Sequence, residues 1–137
     1  MKYKINLLFM LLTVWSIAGT NSNFIKSAQN QIGKTVTYNP EYRTLKYPMG
    51  DIELSKGVCT DVIVRAFRGV DIDLQEKIYK DKKRTPNRYK GLYYTDKLDP
   101  NIDHRRVKNI QAYLLSQGYR VEDAFKPGDI VLWKLKG

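Results

Sequence analysis

The feature that most constrains this chain is the segment from Gly57 to Gly69, in which a loop turns into a helix at the only cysteine. Apolar side chains follow the cysteine at helical spacing: Val62, Ile63, Ala66 and Phe67. Cys59 is therefore predicted at a helix N-terminus, where unbonded backbone N–H groups and the helix dipole favour a thiolate. The alternative interpretation is that Cys59 is an inert small hydrophobic residue packed between helices.

The N-terminus has the pattern of a secretory signal peptide. Two lysines precede an apolar run over residues 5–18, and Ser16-Ile17-Ala18 is a plausible cleavage site. The run is shorter than the roughly 20 apolar residues that span a bilayer. We therefore expect residues 1–19 to be a signal peptide cleaved near Ala18, although an uncleaved N-terminal anchor is the alternative. The protein is predicted to be exported, either periplasmic or secreted, with no stable membrane anchor after cleavage.

The charge of the chain indicates the kind of partner. The formal net charge of +10 favours anionic surroundings, and export argues against nucleic acid in favour of a cell-wall polymer or peptide. A single cysteine excludes an intrachain disulfide. With one histidine and no CxxC or HExxH pattern, neither a metal nor another cofactor is expected.

The remaining pattern predicts a single domain that mixes helices and strands. Helical patterns cover residues 24–32, 59–68, 74–79 and 103–117, the third capped by Asp73 and the fourth by Asp103. Strand patterns cover residues 35–38 and 130–133. The basic run at 80–84 is predicted to be a solvated face, and residues 85–100 a long loop.

Two further candidates could support the chemistry of Cys59. His104 is the only histidine and thus the only imidazole that could act as its base. The alternative for His104 is a structural role in fixing a helix start by hydrogen bonding. Asp61 could orient a base, or could only complement the dipole at the first turn of its helix.

Arg105 and Arg106 follow the histidine directly. Adjacent guanidinium groups can bind a carboxylate or phosphate bidentately and so line a site. The alternative is that they form ion pairs within the protein, with Asp61, Asp99 or Asp103 as partners.

Several motifs in a fixed order resemble the bacterial family called domain of unknown function 1287. They are Val36-Thr37-Tyr38-Asn39-Pro40, Tyr47-Pro48-Met49-Gly50-Asp51, Gly57-Val58-Cys59-Thr60-Asp61-Val62, Asp73-Leu74-Gln75, Asn101-Ile102-Asp103-His104-Arg105-Arg106-Val107 and Pro127-Gly128-Asp129-Ile130-Val131. That family is in turn similar to papain-like, NlpC-type cysteine peptidases and amidases. The resemblance implies an α+β papain-like fold over residues 24–137, with Cys59 as nucleophile and a histidine base on a strand after Gly128.

The sequence ends before such a strand. On this resemblance we expect a domain that is incomplete at its C-terminus, consisting of the helical N-terminal part and the first core strand. The expected function is an exported cysteine hydrolase for amide bonds of cell-wall peptide or a similar substrate, inactive if the chain is a fragment. The alternative is a non-catalytic exported binding module for an anionic glycan or cell-wall polymer.

Overall fold

A computed structural model describes residues 21–120 and 125–133 of the chain. The predicted signal peptide lies outside these residues, so it stays a prediction. Over the two described ranges, none of the helices has the length and apolarity needed to cross a membrane.

The described residues form an α+β fold, in agreement with the predicted class. The helices are α1 over residues 21–29, α2 (Cys59–Arg68), α3 (Leu74–Arg84) and α4 (Val107–Ser116). Two short strands, β1 (Thr37–Tyr38) and β2 (Lys56–Gly57), pair in parallel with Thr37 opposite Lys56. Short 3-10 turns lie at Pro86–Arg88 and Asp103–Arg105.

Helices α2 and α3 begin where the sequence predicts. Cys59 is the first residue of α2, and the carboxylate of Asp61 accepts a 2.7 Å hydrogen bond from the backbone N–H of Val58. Asp73 caps α3 by accepting from the backbone N–H of Gln75. Each cap satisfies an N–H that has no partner inside its helix. Local sequence signals were sufficient here because both caps are made within three residues.

The predicted start of the last helix is wrong. Residues Asp103–Arg105 form a 3-10 turn, and α4 begins at Val107 with Arg106 in the cap position and no side-chain cap. The carboxylate of Asp103 cannot cap α4 because it is bonded to Lys82, Arg106 and Asn109. The helix start is therefore set by tertiary contacts and not by a local capping signal.

The strand predicted over residues 130–133 is also absent from the structure. Those residues belong to no strand pair among the described residues, and Trp133 is 77 % exposed. Since an extended segment becomes a β-strand only by hydrogen bonding to a neighbour, an apolar pattern alone does not make one. The strand predicted over residues 35–38 is shortened to Thr37–Tyr38, although the backbone N–H of Val36 also donates to the carbonyl of Ser55.

The hydrophobic core between α2, α3 and α4 is small. Among the described residues, seven apolar side chains are buried: Val64, Ala66, Phe67, Leu74, Ile78, Tyr89 and Ile110. Phe24 of α1 packs edge-on against Phe67, with ring centroids 4.9 Å apart. Twelve polar or charged side chains are also buried. Much of the packing between elements is therefore polar, and every such group needs a partner to offset its lost hydration.

The basic run at 80–84 is a solvated face only in part. Lys82 is only 4 % exposed, and its ammonium group donates to both carboxylate oxygens of Asp103, at 2.9 and 3.0 Å, and to the carbonyl of Lys97. Asp81 is buried too, and it accepts hydrogen bonds from Arg84, Arg88 and Tyr89. The prediction failed because neighbouring residues of a helix face different sides, and only part of this charged run faces water.

Replacing Lys82 with methionine is expected to lower the free energy of unfolding by about 3 kcal/mol, because Asp103 would stay buried without its main counter-charge. Lys83→Met is the matched control, since Lys83 is the exposed neighbour on the same helix and should change stability by less than about 0.5 kcal/mol. Urea denaturation of both variants measures the difference. Equal effects in the two variants would contradict the buried ion pair.

Candidate functional site

The thiol of Cys59 is exposed at the first residue of α2 and opens into a small pocket of about 250 Å³. The pocket is lined by Tyr38, Pro40, Val58, Cys59, Thr60, Tyr93, Ile102, Arg105, Arg106 and Val107. These residues come from β1, the start of α2, the loop before the 103–105 turn and the start of α4. The structure therefore does not place Cys59 in a helix-packing seam, which was the alternative interpretation.

Asp61 and Arg105 form a buried pair beneath this pocket. Nε of Arg105 lies 2.8 Å from one carboxylate oxygen of Asp61, and a terminal nitrogen lies 3.0 Å from the other. Arg105 also donates to the carbonyls of Asn39 and Glu41, and its own carbonyl accepts a 2.8 Å bond from the hydroxyl of Thr60. The pair thus binds the start of α2 to the 103–105 turn and to the loop after β1.

This geometry gives Arg105 and Asp61 internal partners. Both side chains are at least 95 % buried, and the arginine donates to three protein groups. Of the two alternatives for Arg105, the structure therefore shows an ion pair within the protein and not a guanidinium group that is free to bind a ligand. Asp61 accepts from Arg105 and Val58, and so its contacts stabilise the helix start rather than orient an imidazole.

Arg106 lies in a different environment from its neighbour. It has one bond to Asp103, at 3.2 Å, and its side chain is 19 % exposed. Its guanidinium carbon lies 4.8 Å from the centre of the Tyr93 ring, a cation–π contact. The ammonium of Lys108 lies 5.9 Å from the same ring. A cationic and aromatic wall therefore forms one side of the Cys59 pocket.

His104 is not placed beside the thiol. It is 2 % exposed, it does not line the pocket, and its Nδ1 is buried with no hydrogen-bond partner in the described structure. Burial and, secondarily, the nearby charge of Arg68 lower the pKa of His104 to about 4, although Asp61 and Asp73 oppose this. Among the described residues, no hydrogen bond joins His104 to Cys59. The buried imidazole is neutral at physiological pH.

A larger apolar groove of about 860 Å³ lies between α1, the ends of α2 and α4, and residues 125–132. Its walls are mainly apolar side chains and contain neither a cysteine nor a histidine. Over residues 21–120 and 125–133, no cluster of three or more His, Cys, Asp or Glu side chains could hold a metal ion. The groups suited to covalent chemistry therefore lie at the smaller pocket.

Sequence reasoning missed Lys82 and Tyr93 as parts of this region. Lys82 continues the buried stripe of Leu74 and Ile78 at intervals of four residues, so its position on the inner face of α3 was available from the spacing. Tyr93 carried no such signal, because it lies in a loop whose path is set by tertiary contacts.

Burial of His104 makes the stability of the protein depend on pH. Since its folded-state pKa of about 4 lies below the ordinary 6.5, its contribution is complete above pH 6.5 and is lost as the pH falls towards 4. Between pH 7 and 5 this loss amounts to about 2 kcal/mol. His104→Gln should therefore show a shallower decline in unfolding free energy over that interval, measured by urea denaturation.

Because His104 is the only histidine, an NMR titration of its ring protons in the wild-type protein tests the same claim directly. A midpoint near 6.5 would show a solvated imidazole and contradict the buried, neutral state.

Comparison with known proteins identifies the family of this chain. The family model described as "Domain of unknown function (DUF1287)" matches residues 25–137. The chain is also 37 % identical over 123 residues to "Uncharacterized protein YijF" of Escherichia coli (strain K12), covering 86 % of this chain and 60 % of that relative. It thus spans about three fifths of the relative's length. No solved structure matches the chain. The chain belongs to the DUF1287 family.

Proposed function

We propose that the protein is an exported cysteine hydrolase, a peptidase or amidase of papain-like, NlpC-type architecture acting on amide bonds of cell-wall peptide or a similar substrate. The observation that carries this proposal is the exposed thiol of Cys59 at the first residue of α2, opening into a pocket. A thiolate is the attacking form of cysteine, and the N-terminus of a helix favours it. Export itself rests on the N-terminal sequence pattern.

In the proposed reaction, Sγ of Cys59 attacks the carbonyl carbon of the substrate amide. The oxygen gains negative charge, which the backbone N–H groups of Cys59 and Thr60 can stabilise, because the first N–H groups of a helix have no partner within it. Collapse of the adduct forms a thioester and releases the amine, which takes up a proton. Water then hydrolyses the thioester, releasing the acid and regenerating the thiol.

This reaction needs a general base and acid. His104 does not fill that role in the described structure, because it is buried and has no bond to Cys59. The resemblance to NlpC-type enzymes implies a histidine on a strand that follows Gly128. His104 is the only histidine of the sequence, so the proposal assigns the nucleophile to Cys59 and assigns no residue as the base.

A second candidate function is a non-catalytic binding module for an anionic glycan or cell-wall polymer. The observation that favours it is the wall of Arg106, Lys108 and Tyr93 beside the pocket, because cations and aromatic rings are common means of binding anionic polymers and sugars. Under this function the thiol takes no part.

The hydrolase proposal predicts a reactive thiol. Iodoacetamide should label Cys59 in the folded protein at pH 6 faster than it labels N-acetylcysteine, because the side chain is exposed at the first residue of α2 and the first N–H groups of a helix can stabilise nearby negative charge. Mass spectrometry of the intact protein over time gives the rate. A rate no greater than that of the model thiol would overturn the activated nucleophile.

The same proposal predicts that, in a form of the protein that also carries a histidine base, Cys59→Ala abolishes hydrolysis. Release of amines from purified cell-wall peptides should fall by at least about a thousandfold, since the covalent route is lost. Binding of the intact cell-wall polymer, measured by co-sedimentation, serves as the control. Equal binding by both proteins, with amine release from neither, would support the binding module and contradict the hydrolase.

A further inference from the structure

We propose that Arg106 and Tyr93 form a carboxylate-binding subsite beside Cys59, so that the substrate carries a free carboxylate close to the amide that is cleaved. This inference rests on the proposed hydrolase function and specifies its substrate class. The observation behind it is an excess of positive charge at one wall of the Cys59 pocket.

The lining of the pocket contains two arginines and no acidic residue. Arg105 does not contribute a free charge, because Asp61 meets it with both carboxylate oxygens. A one-to-one buried pair of this kind is electrically neutral as a unit. The charge excess therefore depends on how Arg106 is compensated.

Arg106 shares its counter-charge with another cation. Asp103 accepts two bonds from the ammonium of Lys82, at 2.9 and 3.0 Å, and a longer one, at 3.2 Å, from Arg106. One carboxylate thus faces two cations, and the cluster has a net charge of +1. Lys82 is 4 % exposed and cannot reach a ligand, whereas the side chain of Arg106 is 19 % exposed and lines the pocket.

Asp99, whose backbone N–H donates to Asp103, does not restore neutrality. Asp99 accepts hydrogen bonds from the hydroxyl of Tyr42 and the backbone N–H of Asn101, and neither it nor its partners bond to Arg106. The ammonium of Lys108, 5.9 Å from the centre of the Tyr93 ring, adds a second positive charge in the same region. The positive potential at this wall is therefore not cancelled by its described neighbours.

Arg106 also keeps donors available for a ligand. A guanidinium group has five N–H donors, and among the described residues only one terminal nitrogen of Arg106 is bonded. The ring of Tyr93 contacts the group, with its centre 4.8 Å from the guanidinium carbon, and this contact restricts the side chain, so less side-chain entropy is lost on binding. A planar carboxylate matches such a fixed guanidinium bidentately.

Alkylation of Cys59 by a charged and a neutral reagent tests the subsite without requiring hydrolysis. For each thiol, the quantity measured is the rate of alkylation by iodoacetate divided by the rate of alkylation by iodoacetamide. At low ionic strength this ratio should be about threefold higher for Cys59 than for N-acetylcysteine, because an uncompensated positive charge nearby attracts the anionic reagent. Arg106→Gln should reduce this preference towards the value of the model thiol. Lys77→Gln, the same charge change at an exposed position of α3 outside the pocket lining, should retain it.

A competition experiment identifies the ligand chemistry. N-acetylglycine should slow the labelling of Cys59 by iodoacetamide at matched ionic strength, whereas N-acetylglycinamide should not, and Arg106→Gln should abolish the protection. Protection by inorganic phosphate equal to that by N-acetylglycine would overturn the carboxylate assignment. An unchanged iodoacetate preference in Arg106→Gln would overturn the subsite itself, and neither result depends on whether Cys59 proves to be a hydrolytic nucleophile.

Discussion

The buried carboxylate of Asp103 is the group on which the rest of the site depends. It accepts bonds from Lys82 on α3, from Asn109 on α4 and from the backbone N–H of Asp99, so it joins three segments at one point. These bonds hold the 103–105 turn in place, and the turn then directs Arg105 to Asp61 at the start of α2. The position of the thiol is thus linked, through the 103–105 turn, to the ion pair of Asp103 and Lys82.

Such a polar interior is costly, because each charge loses its hydration on burial and only well-placed partners offset that loss. Two features of this fold indicate that the buried polar networks serve to orient the wall of the pocket rather than to add stability. In the part of the chain that the structure describes, only seven apolar side chains are buried, whereas a buried carboxylate such as that of Asp61 accepts several bonds from different elements. Since hydrogen bonds are directional and apolar contacts are not, these networks can fix the pocket wall within a small domain.

The parts of the fold that sequence predicts are those set by local contacts. The start of α2 at Cys59 and the Asp73 cap of α3 depend on residues within three positions, and both are found in the structure. The start of α4 and the surroundings of His104 depend instead on partners 20 or more residues away, such as Lys82. Since no local pattern specifies these partners, spacing favoured a capping role for Asp103 and left two roles open for His104, as the base of Cys59 or as a structural residue at a helix start.

The contrast between Arg105 and Arg106 shows how backbone geometry separates two identical side chains. In a 3-10 turn successive side chains point about 120° apart, so the residue that ends the turn and the one that caps α4 face different surroundings. Arg105 faces inward to a carboxylate of its own, whereas Arg106 faces the pocket and shares one with Lys82. The two adjacent arginines therefore do not bind one ligand together. One side chain holds the thiol-bearing helix, and the excess charge that a substrate could neutralise belongs to the other.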